Sequence, residues 1–95
     1  MLLLRLVYSF LFGVLFGNGI PHFVRGMTRE NYPSLLGSSP AANVLEGWIC
    51  WMLASLLATW TRLWPPTLDV WAAAGIGLLL IGLFHAMGMS PGRKN

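Results

Sequence analysis

Charged residues are scarce in this 95-residue sequence, in which 9% of the residues are charged and 56% are hydrophobic. A soluble domain carries about 25% charged residues, so the deficit excludes a protein that is soluble alone. At this length we expect one membrane domain covering residues 1–95. The cations lie near segment ends and form no basic stripe, so we expect no nucleic-acid partner. They are Arg5, Arg25, Arg29, Arg62, Arg93 and Lys94.

Cysteine and catalytic motifs are also nearly absent. Cys50 is the only cysteine, so no internal disulfide can form. The sequence contains no G-x-S-x-G, P-loop, H-E-x-x-H or C-x-x-C-H pattern. We therefore expect no enzymatic activity, no catalytic residue, no metal and no cofactor. The residue types would still suit a haem between His22 and His85, or a transition metal held with Glu46 and Cys50.

Long apolar segments are what the sequence does contain. A hydrocarbon core of about 30 Å requires about 20 helical residues, and residues 2–20, 40–64 and 68–89 are long enough. In "SSPAAN", Ser39 can cap the second segment and Pro40 suits its first turn. Pro65 and Pro66 end that segment. These signals predict an all-α integral membrane protein with three transmembrane helices.

The stretch "GNGIPHFVRG", residues 17–26, predicts a break at Gly17–Pro21. Pro21 lacks a backbone donor and clashes with the carbonyl of Gly17 in a helix, while Asn18 and Gly19 favour turns. We therefore predict a loop over residues 21–39, with Tyr32 as an anchor at the membrane interface. Broken backbone at membrane depth requires a polar pocket or a hydrogen-bonded joint.

The first segment has two alternative interpretations. It could be a cleaved signal peptide, but only Arg5 supplies charge before the apolar run and no A-x-A site follows. It could also be a peripheral helix beside two spans. We retain three spans.

The distribution of cations predicts the orientation of the three spans. Four cations belong to the side of the first loop and the carboxyl terminus, namely Arg25, Arg29, Arg93 and Lys94, and two to the other side, Arg5 and Arg62. The positive-inside rule then predicts a cytoplasmic carboxyl terminus and an external amino terminus.

Most other polar side chains fall in the cytoplasmic leaflet of this arrangement. The cluster comprises Asn18, His22, Arg25, Asn43, Glu46 and His85. In the second span, helical spacing places Asn43, Glu46, Cys50 and Ala54 on one face, which we expect to point inward because a lipid-exposed carboxylate is costly.

Two interpretations of this cluster remain open. In a structural joint, Glu46 pairs with Arg25, Asn18 caps the broken helix and His22 binds backbone. In a protonatable relay, His22, Glu46 and His85 carry protons or a small solute.

Small residues recur at four-residue spacing in all three spans. The pairs are Gly13 and Gly17, Ala54 and Ala58, and Gly82 and Ala86. Such pairs let helices approach closely. Because three helices offer little interior, we expect at least one pair to meet a second copy or a larger membrane complex. The leading functional hypothesis is a non-enzymatic, self-associating or accessory membrane subunit, and the alternative is a small homo-oligomeric channel or transporter in the lipid bilayer.

From Gly17 to Trp48, the sequence resembles a group of small uncharacterised bacterial inner-membrane proteins. The resemblance rests on the N-G-x-P-H-F motif in "GNGIPHFVRG" and on "YPSLLGSSPAANVLEGW" after it. Leu35 and Leu36 stand where a more Phe- and Pro-rich turn is expected. The resemblance implies a location in the bacterial inner membrane and directs attention to the motif residues, but it implies no activity.

Overall fold

The computed structural model describes residues 2–88, which form three α-helices and no strand. The helices are α1 (Leu2–Met27), α2 (Pro40–Trp60) and α3 (Leu68–Ala86). Each is long and apolar enough to cross a membrane. The predicted all-α fold with three spanning helices is confirmed. Residue 89, the predicted end of the third span, lies outside the described residues.

The predicted break at Gly17–Pro21 is wrong, because α1 continues through Pro21 to Met27. Neighbouring helices can satisfy backbone groups that proline frees inside a membrane helix. The carbonyl that Pro21 leaves without its helical donor is that of Gly17, and the indole nitrogen of Trp51 donates to the adjacent carbonyl, that of Phe16, at 3.2 Å. The connection between α1 and α2 therefore covers residues 28–39, rather than 21–39.

The start of α2 follows the sequence signals, but its end does not. Ser39 accepts a hydrogen bond from the Ala42 backbone N–H at 3.1 Å, and Pro40 occupies the first turn. The helix ends at Trp60 instead of residue 64. Arg62 then adopts a positive φ of 58°, which turns the chain toward α3 before the two prolines.

Helix α1 lies in the middle of a single layer. It packs against both α2 and α3, whereas within residues 2–88 no Cα atom of α2 lies within 8 Å of one of α3. The Cα trace measures 41 × 24 × 17 Å, and a width of 24 Å matches three helices side by side at spacings of about 8–10 Å. Both broad faces of α1 are thus left partly uncovered.

Glycines allow these close contacts. A Cβ atom at Gly13 would overlap the carbonyl oxygen of Ala74, and one at Gly77 would overlap that of Phe10. On the other side of α1, a Cβ at Gly47 would lie 2.8 Å from the carbonyl oxygen of Gly19. The glycines of "GNG" thus serve helix packing, because Gly17 also faces α3 through Leu78 and Ile81.

Candidate functional site

The best-defined polar site lies where α1 ends and α2 begins. His22 is 3% exposed and Glu46 is 7% exposed. His22 lies five residues before the end of α1 and Glu46 six residues after the start of α2, so both are about 8–9 Å inside the helix ends. The Nε2 atom of His22 and the Oε2 atom of Glu46 are 2.9 Å apart. A His–Glu pair is therefore enclosed by the protein, between one and two helical turns inside the helix ends.

Asn43 determines the tautomer of His22. Its side-chain NH₂ group donates to the carbonyl oxygens of Tyr32 at 2.6 Å and of Ser39 at 3.0 Å. The Oδ1 atom of Asn43 therefore faces His22 Nδ1, at 2.7 Å. Because Oδ1 can only accept, Nδ1 must carry a proton and donate.

The contact between His22 and Glu46 then holds one shared proton. If the proton is on Nε2, the pair is an imidazolium and a carboxylate. If it is on Oε2, the pair is a neutral imidazole and a carboxylic acid. Both forms have zero net charge, so the pair adds no net charge to the site in either form.

The same side chains fasten the 28–39 loop to the helices. The other carboxylate oxygen of Glu46 accepts from the Leu35 backbone N–H at 2.8 Å. Tyr32 is 5% exposed, and its ring lies 5.2 Å from that of His22. Tyr32 is therefore a buried part of the site, and its predicted role as an interface anchor is wrong.

Three predicted contacts of the structural joint are not formed. Arg25 binds Glu30 at 3.4 Å instead of Glu46, and its guanidinium lies 4.8 Å from the centre of the Tyr32 ring. Asn18 does not cap a helix end, since its NH₂ group donates to Cys50 Sγ at 3.3 Å within continuous α1. His22 binds side chains instead of backbone.

The α2 face predicted from spacing does point inward. Asn43, Glu46, Cys50 and Ala54 are all buried. Sequence reasoning missed Tyr32, Leu35 and Ser39 as members of the site, because a loop's backbone contacts have no periodicity to reveal them. The available sequence signal was Asn43, because its amide group can form more hydrogen bonds than one neighbour on its own helix can satisfy.

His85 comes from α3 and completes the polar end. Its ring lies at 76° to that of His22, with 5.6 Å between the ring centres. His85 Nδ1 lies 2.8 Å from the carbonyl oxygen of Ile81 and therefore donates to it, which leaves a lone pair on Nε2 in the neutral ring. Within residues 2–88, this Nε2 has no hydrogen-bond partner.

A cavity of about 200 Å³ adjoins these side chains. Its lining consists of Asn18, His22, Glu46, Phe84, His85 and the loop residues Pro33, Ser34 and Leu35. The loop thus covers the cavity, and α1, α2 and α3 each supply polar groups to it.

The donor set of the cluster gives little support to a metal or haem. Both ring nitrogens of His22 are already bonded. Among residues 2–88, no three His, Cys, Asp or Glu side chains are grouped so that they could hold a metal ion. A ligand role for His22 would require loss of its contact with Asn43 or Glu46.

A second polar contact closes the other end of the layer. Arg5 Nε donates to the carboxylate of Asp69 at 3.0 Å, and Arg5 also reaches Thr67 Oγ1 at 3.0 Å. The pair is about 30% exposed and joins the first turn of α1 to that of α3. The sequence signal for this ion pair was a cation near the start of the first span and an anion near the start of the third, because these two spans run parallel.

The three predicted small-residue pairs have different surroundings. Gly13 and Gly17 pack against α3, and Ala54 is 2% exposed among the residues that α2 buries, with Ala58 partly buried. Gly82 and Ala86 are exposed on α3, and nothing lies within 4 Å of a Cβ added at Gly82.

The lengths and apolar character of the three helices define a multi-pass α-helical membrane protein. Comparisons with models of protein families, with curated proteins and with solved structures found no match to the chain. The site geometry is therefore the basis for a functional assignment.

Proposed function

We propose that this chain is a non-enzymatic subunit of the bacterial inner membrane that self-associates, or docks on a larger membrane complex, through the outer face of α3. In this proposal the 28–39 loop and the carboxyl terminus are cytoplasmic and the amino terminus is external. The four-to-two distribution of cations between the two sides supports that orientation.

The observation that carries the proposal is a pair of open glycines on α3. A Cβ atom added at Gly75 or at Gly82 would meet nothing within 4 Å, whereas Gly77 packs directly on α1. Gly75 and Gly82 are seven residues apart and therefore share one face of α3. A helix-interior glycine costs about 0.5–1 kcal/mol relative to alanine, and close approach of another helix offsets that cost.

The burial of the His–Glu pair favours a structural role for it over conduction. His22 and Glu46 bind their own loop and helices and have little exposed surface. A conducting path requires such groups to line water. The pair instead connects the 28–39 loop with α1 and α2, and the outer face of α3 stays exposed for contact with another chain.

Replacing both open glycines tests the proposal. Because no atom lies near them in one chain, the Gly75→Leu/Gly82→Leu variant should keep its fold and its free energy of unfolding. Energy transfer between copies labelled with donor and acceptor dyes in nanodiscs or liposomes should fall. Thr59→Leu, which places the same leucine side chain at an exposed position of α2, serves as the control.

A photocrosslinker at Leu79, between the two glycines and 59% exposed, distinguishes the two partners. Capture of a second copy in native membranes supports self-association, and capture of one defined membrane protein supports docking. Capture of lipid alone, with energy transfer unchanged in the glycine variant, would contradict the proposal.

The cavity beside His22, Glu46 and His85 favours one second candidate, a homo-oligomeric channel or transporter with a protonatable site. In that case Glu46→Gln should leave assembly intact and abolish pH-dependent flux in liposomes. Equal flux for the wild-type and Glu46→Gln proteins, at the level of empty liposomes, would remove this candidate.

A further inference from the structure

A groove runs along α1 because α2 and α3 do not meet across it. Its floor is formed by Val7, Leu11, Val14 and Asn18, which recur at spacings of four, three and four and therefore lie on one side of α1. Val7 and Leu11 are 44% and 43% exposed. This side of α1 is thus open to the membrane.

Both walls of the groove are predominantly apolar. Between α1 and α3 a cavity of about 430 Å³ is lined by apolar side chains of both helices, among them Val7, Leu11 and Ile76, and by one charged residue, Asp69. Between α1 and α2 a cavity of about 510 Å³ is lined by Leu11, Val14, Leu15, Leu53, Leu56, Leu57 and Trp60. Leu11 lines both cavities, so they lie next to each other on this side of α1.

The groove leads toward the polar cavity under the 28–39 loop. Asn18 is one turn beyond Val14 on the same side of α1 and lines that cavity. At about 200 Å³, the cavity is smaller than the roughly 300–1,000 Å³ of pockets that enclose a drug-sized ligand. It has room for the head of an amphiphile, with the tail outside it in the groove.

Two acceptor atoms in the cavity have no partner among residues 2–88. His85 offers the lone pair on Nε2, and the Oδ1 atom of Asn18 has no partner within residues 2–88. The His22–Glu46 pair has no net charge in either proton arrangement. Arg25 contacts Glu30 and Tyr32, and no Lys or Arg side chain lines the cavity to receive an anionic head.

We propose that the groove and cavity bind one uncharged lipid amphiphile whose head carries a hydroxyl group. The hydroxyl donates to His85 Nε2 or Asn18 Oδ1, and the chain lies on the floor of the groove toward Val7. Asn18 lies eleven positions after Val7 along α1, which is about 16 Å, or roughly one leaflet of a 30 Å hydrocarbon core. This site is separate from the outer face of α3.

Photocapture by the full chain in nanodiscs tests the site. The probe is hexadecan-1-ol with a diazirine next to the head, and its methyl ether is the control because it cannot donate. We expect about 2- to 10-fold more capture of the alcohol, the range of one hydrogen bond, with crosslinks in residues 33–35 or 84–85. Hexadecanoate, which is anionic at pH 8, should be captured less than the alcohol.

Two variants localise the binding. The His85→Phe/Asn18→Leu variant removes both acceptors, so it should reduce capture of the alcohol to the level of the ether. Leu11→Trp should fill the groove and reduce capture of both probes. Leu45→Trp, at a position that is 49% exposed and outside the groove lining, should change neither. Far-UV circular dichroism verifies that each variant is folded.

Equal capture of alcohol and ether by the wild-type protein would overturn the proposal, as would unchanged capture by Leu11→Trp. A photocrosslinker at Leu11 provides a further test of what occupies the groove. If it joins two copies of the chain, a protein and not a lipid occupies the groove, and the proposal is wrong. These outcomes do not depend on whether α3 self-associates.

Discussion

The His22–Glu46 pair makes a quantitative prediction about stability. Glu46→Leu removes the acceptor of the Leu35 N–H and the partner of His22 Nε2, both of which are in enclosed surroundings. Breaking a buried pair by removing one partner costs about 3–5 kcal/mol. We expect the free energy of unfolding to fall by that amount.

Glu46→Gln should have a much smaller effect. The amide carbonyl can accept from the Leu35 N–H, and the amide N–H can donate to the Nε2 lone pair of neutral His22. Only the charge-assisted part of these bonds is lost, which amounts to about 1 kcal/mol. The Leu and Gln variants should therefore differ by about 2–4 kcal/mol.

A double-mutant cycle with His22→Phe isolates the pairwise interaction. In the Glu46→Leu/His22→Phe variant, neither member of the pair is left without its partner. Its loss of unfolding free energy should therefore be about 1.5–3 kcal/mol smaller than the sum of the two single losses. Arg25→Gln is the control, because Arg25 binds Glu30 and should show no coupling to Glu46. Unfolding is followed by tryptophan fluorescence during SDS titration in mixed micelles.

Two results would refute this reasoning. If Glu46→Gln is as harmful as Glu46→Leu, the carboxylate charge matters and the hydrogen-bond geometry does not. If the two substitutions at Glu46 and His22 are additive while Arg25→Gln is coupled to Glu46, the pairing is the one expected from the sequence, between Glu46 and Arg25.

Three further predictions concern the rest of the fold. Gly77→Leu should lower the free energy of unfolding by about 1–3 kcal/mol or more, because its Cβ would overlap the Phe10 carbonyl. The same SDS titration measures it, and an unchanged midpoint would contradict the close approach of α1 and α3. Ser39→Ala should cost about 1 kcal/mol and speed amide exchange in the first turn of α2, and unchanged exchange would contradict the cap. Asp69→Asn should lower the thermal midpoint slightly at low salt and less at high salt, because the pair with Arg5 is partly exposed; a salt-independent effect would contradict this.

Much of the site was accessible from spacing alone. Helical periodicity placed Asn43, Glu46 and Cys50 on one inward face of α2, and the structure buries all three. Segment order also brought His85 to the same end of the molecule as His22. Periodicity assigns a face to a side chain but does not assign its partner. The partner of Glu46 was therefore predicted as Arg25, whereas it is His22. These two residues are three positions apart on α1, and only helix packing decides which of them meets Glu46.

By itself, the sequence determined the class of protein, the number of spans and the start of α2, because apolar length and capping residues act locally. Only the tertiary structure decided whether Pro21 ends α1 or lies within it. Proline and glycine have local preferences for turns, but in a membrane helix the neighbours can satisfy freed backbone groups and exploit the space beside glycine. The tertiary structure also decided that α1 packs between α2 and α3, because close contact depends on which small residues of different helices meet.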